Sequence, residues 1–129
     1  MLDMKQHNVL ENIFDTTFGR GSLKEGHALK HKLGTDVDGT LILELRYESA
    51  CNFNPAAGLA SQKKELDKDS FGALGKKVGE AKKLFKEDTG VTLKCKPISD
   101  GQSDITPISF NRDLVRARYR ATIVYEISI

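Results

Sequence analysis

Cysteine is scarce in this chain. Only Cys51 and Cys95 occur among its 129 residues, far apart and with no C-x-x-C pair, which points to two reduced thiols rather than a disulfide framework. An excess of one charge is also missing. Twenty basic residues against 18 acidic ones leave a formal net charge of +2, too little to hold the whole chain on nucleic acid or an anionic membrane, so any basic site must be local. No apolar run approaches the length that crosses a bilayer, and Asp3 and Glu11 interrupt the N-terminal stretch where a signal peptide needs apolar residues. The expected location is therefore cytoplasmic when the protein is made. Internal repeats and low-complexity segments are absent. What remains is a composition of 39% hydrophobic and 29% charged residues, that of a folded soluble chain, at a length that suits a single domain over residues 1–129.

Periodicity supplies the elements. Leu10, Ile13, Phe14 and Phe18 recur at helical spacing and Gly19 follows, which predicts a short amphipathic helix over residues 5–18. "HALKHKLGTDVDGTLILELRYES" reads as a hairpin. Leu41, Leu43, Leu45 and Tyr47 alternate with Glu44, Arg46 and Glu48, and Asp38-Gly39 provides the backbone freedom of a tight turn. Residues 54–69 are polar and interrupted, a mixture of helix and loop. From Asp69 or Ser70 as cap, Phe71, Leu74, Val78, Ala81, Leu84 and Phe85 form the clearest helix, about 70–88, closed by Gly90 and lined on its other face by Lys76, Lys77, Lys82, Lys83 and Lys86. "VTLKCK" is a strand ended by Pro97. Residues 98–113 lack a sustained period, and a connection of that length is a candidate binding loop.

The last fourteen residues predict a strand from about Leu114 to Ile127. Val115, Ala117, Tyr119, Ala121, Ile123, Tyr125 and Ile127 fall on one side, and Arg116, Arg118, Arg120 and Thr122 on the other. It would reach over roughly 40 Å, so it is expected to bend or to project beyond the body. The element order predicts an α+β fold: an antiparallel four-stranded sheet with the main helix on one face, the short N-terminal helix at a flank, and the other face partly solvated.

Several motifs suggest chemistry and fall short of it. Asp36-x-Asp38-Gly39-Thr40 resembles the first motif of haloacid dehalogenase-like phosphatases, in which one carboxylate attacks phosphorus and a second serves as acid and base. Here it follows "KHKLGT" rather than an apolar strand, and a hairpin turn accounts for the same letters. An EF-hand fails for want of its remaining ligands. His7, His27, His31, Cys51 and Cys95 lie on different elements without paired ligand spacing, so no metal site is expected. Neither cysteine lies beside a recognisable base, and no serine occupies a nucleophile elbow. Gly72, Gly75 and Gly79 each weaken a helix and call for close approach, either to a neighbouring subunit or, as preferred, to the chain's own sheet. No catalytic residue and no cofactor is expected.

The arginine row carries the functional expectation. A nucleic-acid platform wants aromatic rings beside the cations, whereas Tyr119 and Tyr125 point the other way. Cross-strand pairing with Glu44 and Glu48 is the simplest account; a subunit interface and nucleic acid are the alternatives. The compact body closing on "VRARYRATIVYEI" is similar to small tail-completion and connector proteins, tail terminators among them, of tailed bacteriophages; the similarity lies in length and element order. It implies a non-enzymatic assembly protein, working as a homo-oligomer against neighbouring structural proteins and incorporated into a virion. The contacts would come from Arg116, Arg118 and Arg120 and from the 98–113 segment with Asp104, Phe110 and Arg112. The alternative is a nucleic-acid-binding accessory protein that adds Lys76, Lys77 and Lys83 of the lysine-rich helix to the arginine strand. No membrane partner is expected.

Overall fold

The structure, a computed structural model, describes residues 2–19, 27–53, 56, 58–98, 101–110 and 115–129. The chain runs α1 (Met4–Phe18), β1 (His27–Thr35), β2 (Leu41–Phe53), α2 (Leu59–Thr89), β3 (Lys94–Pro97), β4 (Gln102–Phe110) and β5 (Val115–Ser128). The class is α+β, with an open antiparallel sheet that has five strands rather than the four expected.

β5 is the axis of that sheet. Val115, Ala117, Tyr119, Ala121, Tyr125 and Ile127 are buried while Arg116, Arg118 and Arg120 are exposed, the alternation that a strand buried on one side requires. The alternative that so long a strand projects beyond the body is overturned. β2 pairs with it from Val115 to Ile127 along one edge, and along the other β4 covers Val115–Thr122 and β3 covers Tyr125–Ser128. β3 and β4 thus lie end to end in one lane, and the sheet is four lanes wide despite its fifth strand.

β4 corrects the reading of residues 98–113 as an irregular loop. Two features hide its alternation. Pro107 sits at a bulge between Pro107 and Ser109, where an edge strand tolerates a residue without an N–H, and the inward position Ser103 is polar. Gly101 marks the entry, because a β-carbon there would overlap the Phe71 ring. The β1–β2 hairpin forms where the sequence placed it. Asp36 Oδ1 accepts the backbone N–H groups of Asp38 at 2.9 Å and Thr40 at 3.0 Å, and Gly39 adopts φ +81°.

α2 begins at Leu59, well before the expected Asp69 or Ser70 cap, so the 54–69 segment is mostly helix. Its first turns lack an apolar stripe, which is why periodicity misses them. Ala, Gln, Lys, Glu and Leu are nonetheless strong helix formers, and Lys63 pairs with Asp67 one turn on at 3.3 Å. Gly90 ends the helix in the left-handed conformation, φ +74°, its N–H donating to the Lys86 carbonyl. α1 starts with a reciprocal cap: Gln6 N–H donates to Asp3 Oδ1 and Asp3 N–H to Gln6 Oε1.

Both helices cover the same face of the sheet. Leu10, Phe14 and Phe18 from α1 and Leu74, Val78, Ala81 and Phe85 from α2 meet Leu43, Leu45, Leu93, Tyr125 and Ile127 in one core. Over the middle of β5 the contact turns polar. The fully buried Tyr119 donates its hydroxyl to Asp67 Oδ1 at 2.6 Å, and the Ser70 hydroxyl stands 2.8 Å from the phenol oxygen. Ser70 is therefore a buried joint in mid-helix rather than a cap. Burial, and then the Asp67 carboxylate, push the Tyr119 phenol up to about 12. For Asp67 burial acts upward, but hydrogen bonds with Ser103, Tyr119 and Lys63 outweigh it and hold the carboxyl below its usual value.

This joint is expected to contribute to stability in a pH-dependent way. Tyr119→Phe should lower unfolding stability at neutral pH by roughly 1–3 kcal/mol, since it removes a buried donor from Asp67. The unfolded phenol ionises near 10 and the folded one near 12, so the wild type should lose stability as pH rises through that window. The variant should lack that part of the loss, which urea titrations at pH 8 to 12 would detect. At the acid end, stability from Asp67 should persist above the ordinary carboxyl range and fade as pH drops through its lowered value.

Candidate functional site

The face of the sheet away from the helices has no layer over it among the described residues, and the strand period places its side chains in rows. β5 contributes Arg116, Arg118 and Arg120, β2 contributes Glu44, Arg46, Glu48, Ala50 and Asn52, and β1 contributes Ala28, Lys30 and Lys32. Asp104 and Thr106 of β4 close the far side.

Register decides which arginines are neutralised. Arg120 lies opposite Glu48 on one side and Asp104 on the other, and its Nε is 3.2 Å from Glu48 Oε1. Glu44, the second residue of the expected acidic row, falls opposite Val124 and pairs instead with Arg46 of its own strand at 2.7 Å. Arg118 lies between Ala50 and Thr106, and Arg116 between Asn52 and Ser109. Neither has an ion-pair partner among the described residues. Cross-strand pairing thus accounts for one arginine of three. The two unpaired guanidinium groups border a concavity of about 400 Å³ whose floor and walls include Ala28, Ala50, Glu48, Ile108 and Ser109. Short side chains at positions 28 and 50 open this hollow, and Ile108, about half exposed, gives it an apolar rim.

The remaining candidate residues are dispersed. Phe110 pairs through its backbone with Val115, its side chain lying outside what is described, and Arg112 lies outside the described residues altogether. Lys76 and Lys83 are exposed on α2, in the layer behind the sheet, while Lys77 donates to the Thr17 carbonyl at 3.3 Å and ties α2 to α1. The lysine helix and the arginine strand therefore look out from opposite sides of the molecule.

Other chemistry-bearing groups are engaged locally. His31 Nε2 is 2.8 Å from Asp15 Oδ1 and its ring packs near Phe18; His7 pairs with Glu11. Cys51 and Cys95 are free and lie at opposite ends of β5, alongside Ala117 and Ile127, and burial raises both thiols, Cys95 to about 11. Among the described residues, no three His, Cys, Asp or Glu side chains gather closely enough to share a metal ion. No described helix is long and apolar enough to cross a membrane.

Gly72, Gly75 and Gly79 correct the preference for close packing on the chain's own sheet. The buried stripe of Ser70, Leu74, Val78, Ala81 and Phe85 turns them outward, and a β-carbon added at any of the three would meet nothing within 4 Å. The Tyr119–Asp67–Ser70 group was not foreseen as a unit. Its one sequence signal is the placement of Tyr119 between Ala117 and Ala121, small neighbours that leave room for a phenol reaching the helix. No protein-family model, curated protein or solved structure matches the chain.

Two stability measurements follow from this geometry. Gly75→Ala should raise the denaturation midpoint by an amount equivalent to about 0.5–1 kcal/mol, because the helix gains and no neighbour must move. Arg118→Ala should leave it within about 0.5 kcal/mol of wild type, because the exposed guanidinium has no ion-pair partner among the described residues to lose.

Proposed function

We propose that the chain is a non-enzymatic assembly protein that acts as a homo-oligomer, of the kind that builds the tail or neck of a tailed bacteriophage. The observation that carries the self-association is a sheet face with no layer over it, and Arg116 and Arg118 without an ion-pair partner in a hollow, among the described residues. A row of cations on a flat sheet repels itself, and neighbouring carboxylates are the ordinary remedy. The chain applies that remedy to Arg120 and leaves the other two for a partner. Guanidinium groups suit such a contact, since their planar donors engage carboxylates in fixed geometry and shed water more readily than ammonium groups. The assignment to a virion rests on the similarity of length and element order to phage connector proteins.

The alternative, a nucleic-acid-binding accessory protein, draws on the same two cations. It is weakened because Tyr47, Tyr119 and Tyr125 face the helices, leaving no tyrosine among the described residues to stack bases beside the arginines. It is weakened too because the lysine-rich helix lies on the far side. Multi-angle light scattering of the purified chain tests the preferred reading. A mass of several protomers that falls on dilution or in high salt is expected. A strict monomer at high concentration, or tight salt-dependent binding to unrelated single-stranded oligonucleotides, would count against it.

A further inference from the structure

The fold displays a second unpartnered feature at the opposite end of the sheet. Val37, at the tip of the β1–β2 hairpin, is completely exposed and stands between Asp36 and Asp38. The turn beneath it is held firmly by Asp36 Oδ1 and by backbone hydrogen bonds between Asp36, Gly39 and Thr40, so the tip presents an apolar knob between two carboxyl-bearing residues on a rigid base. The carboxylate of Asp38 has no ion pair among the described residues.

The hollow and the knob are complementary. One offers two guanidinium groups around a floor containing Ala28 and Ala50 with Ile108 at its rim, the Glu48 carboxylate in its wall being engaged by Arg120; the other offers one aliphatic side chain with an aspartate on each side. They cannot meet within one molecule. The hairpin enters β2 at Leu41, opposite Ile127, whereas the hollow lies beside Ala50, opposite Arg118, about 30 Å further along the strand. The sheet edges offer less. Two copies joined through β1 would set the Lys30 and Lys32 side chains against one another, and β4 is interrupted by the Pro107 bulge.

We infer that the Asp36–Gly39 tip of one copy docks in the Arg116/Arg118 hollow of the next, Val37 lying on Ala28, Ala50 and Ile108 while Asp38 and the free oxygen of Asp36 meet the guanidinium groups. Knob and socket are different surfaces, so each contact joins unlike patches: engaged one way it is head to tail and generates a ring or an open filament, and engaged reciprocally it closes a pair. This rests on the self-association proposed above and names the surfaces that produce it.

The test is a charge exchange read by sedimentation velocity at low salt. Asp38→Lys and Arg118→Glu, both at exposed positions, should each weaken self-association by about tenfold or more, as like charges then face each other. An equimolar mixture of the two should assemble again, because each knob finds a socket of opposite charge. Val37→Ser, whose side chain contacts nothing in the monomer, should also weaken assembly while leaving the circular dichroism spectrum and melting temperature unchanged. If the wild type assembles and none of these variants alters it, the docking is wrong and self-association stands. If the wild type is monomeric under these conditions, both are wrong.

Discussion

Every strand of the sheet except β1 is hydrogen-bonded to β5, and that single dependence organises the molecule. β2 occupies one of its edges and β4 and β3 divide the other, so β5 sets the register of all three. Because a strand's side chains alternate, that register determines both faces at once. The inward set, Ala117, Tyr119, Ala121, Tyr125 and Ile127, receives the helices, while the outward arginines are spread over the opposite, exposed face. A slip of one residue would bury guanidinium groups under α2, a cost large enough to hold the pairing in place.

The two faces follow different chemistry. On the helix side, apolar burial is general and the Tyr119–Asp67–Ser70 group makes it specific. A buried phenol is tolerable only when its hydroxyl finds a partner, here the half-buried Asp67 carboxylate, and that pairing fixes where α2 lies along β5. On the open side, charges are arranged by register alone. The neighbours opposite Arg118 and Arg116 are alanine, threonine, asparagine and serine, none of which can neutralise them. The hollow is therefore written into the strand sequences themselves and needs no special loop.

Much of this was legible from periodicity. α1, the buried stripe from Leu74 to Phe85 and the alternation of β5 rest on repeated apolar spacing, which survives into the fold because burial drives it, while the hairpin turn at Asp38-Gly39 was legible from its turn residues. The misses are places where another force replaced burial. The first turns of α2 are held by helix propensity and the Lys63–Asp67 pair. β4 carries an inward serine and a proline at a bulge, so its strand period is broken on both counts. Ser70 has the identity of a cap but donates its position to a buried contact. The arginine row was visible as a row, yet its division into one paired and two unpaired members was not, since that depends on cross-strand register, which one strand read alone does not contain.

The order of the strands along the chain has a kinetic consequence. β5 is made after every strand it pairs with, and its partners on β2 lie more than sixty residues upstream. Until it emerges, β2 has only β1 beside it, β3 and β4 have no lane to fill, and the helices have no complete surface to cover. Loop closure over such separations is entropically demanding, so the sheet should assemble late and slowly compared with a fold built from neighbouring hairpins. During that interval the nascent chain exposes Leu43 and Leu45 on a two-stranded ribbon, apolar surface that is open to misassociation until β5 covers it.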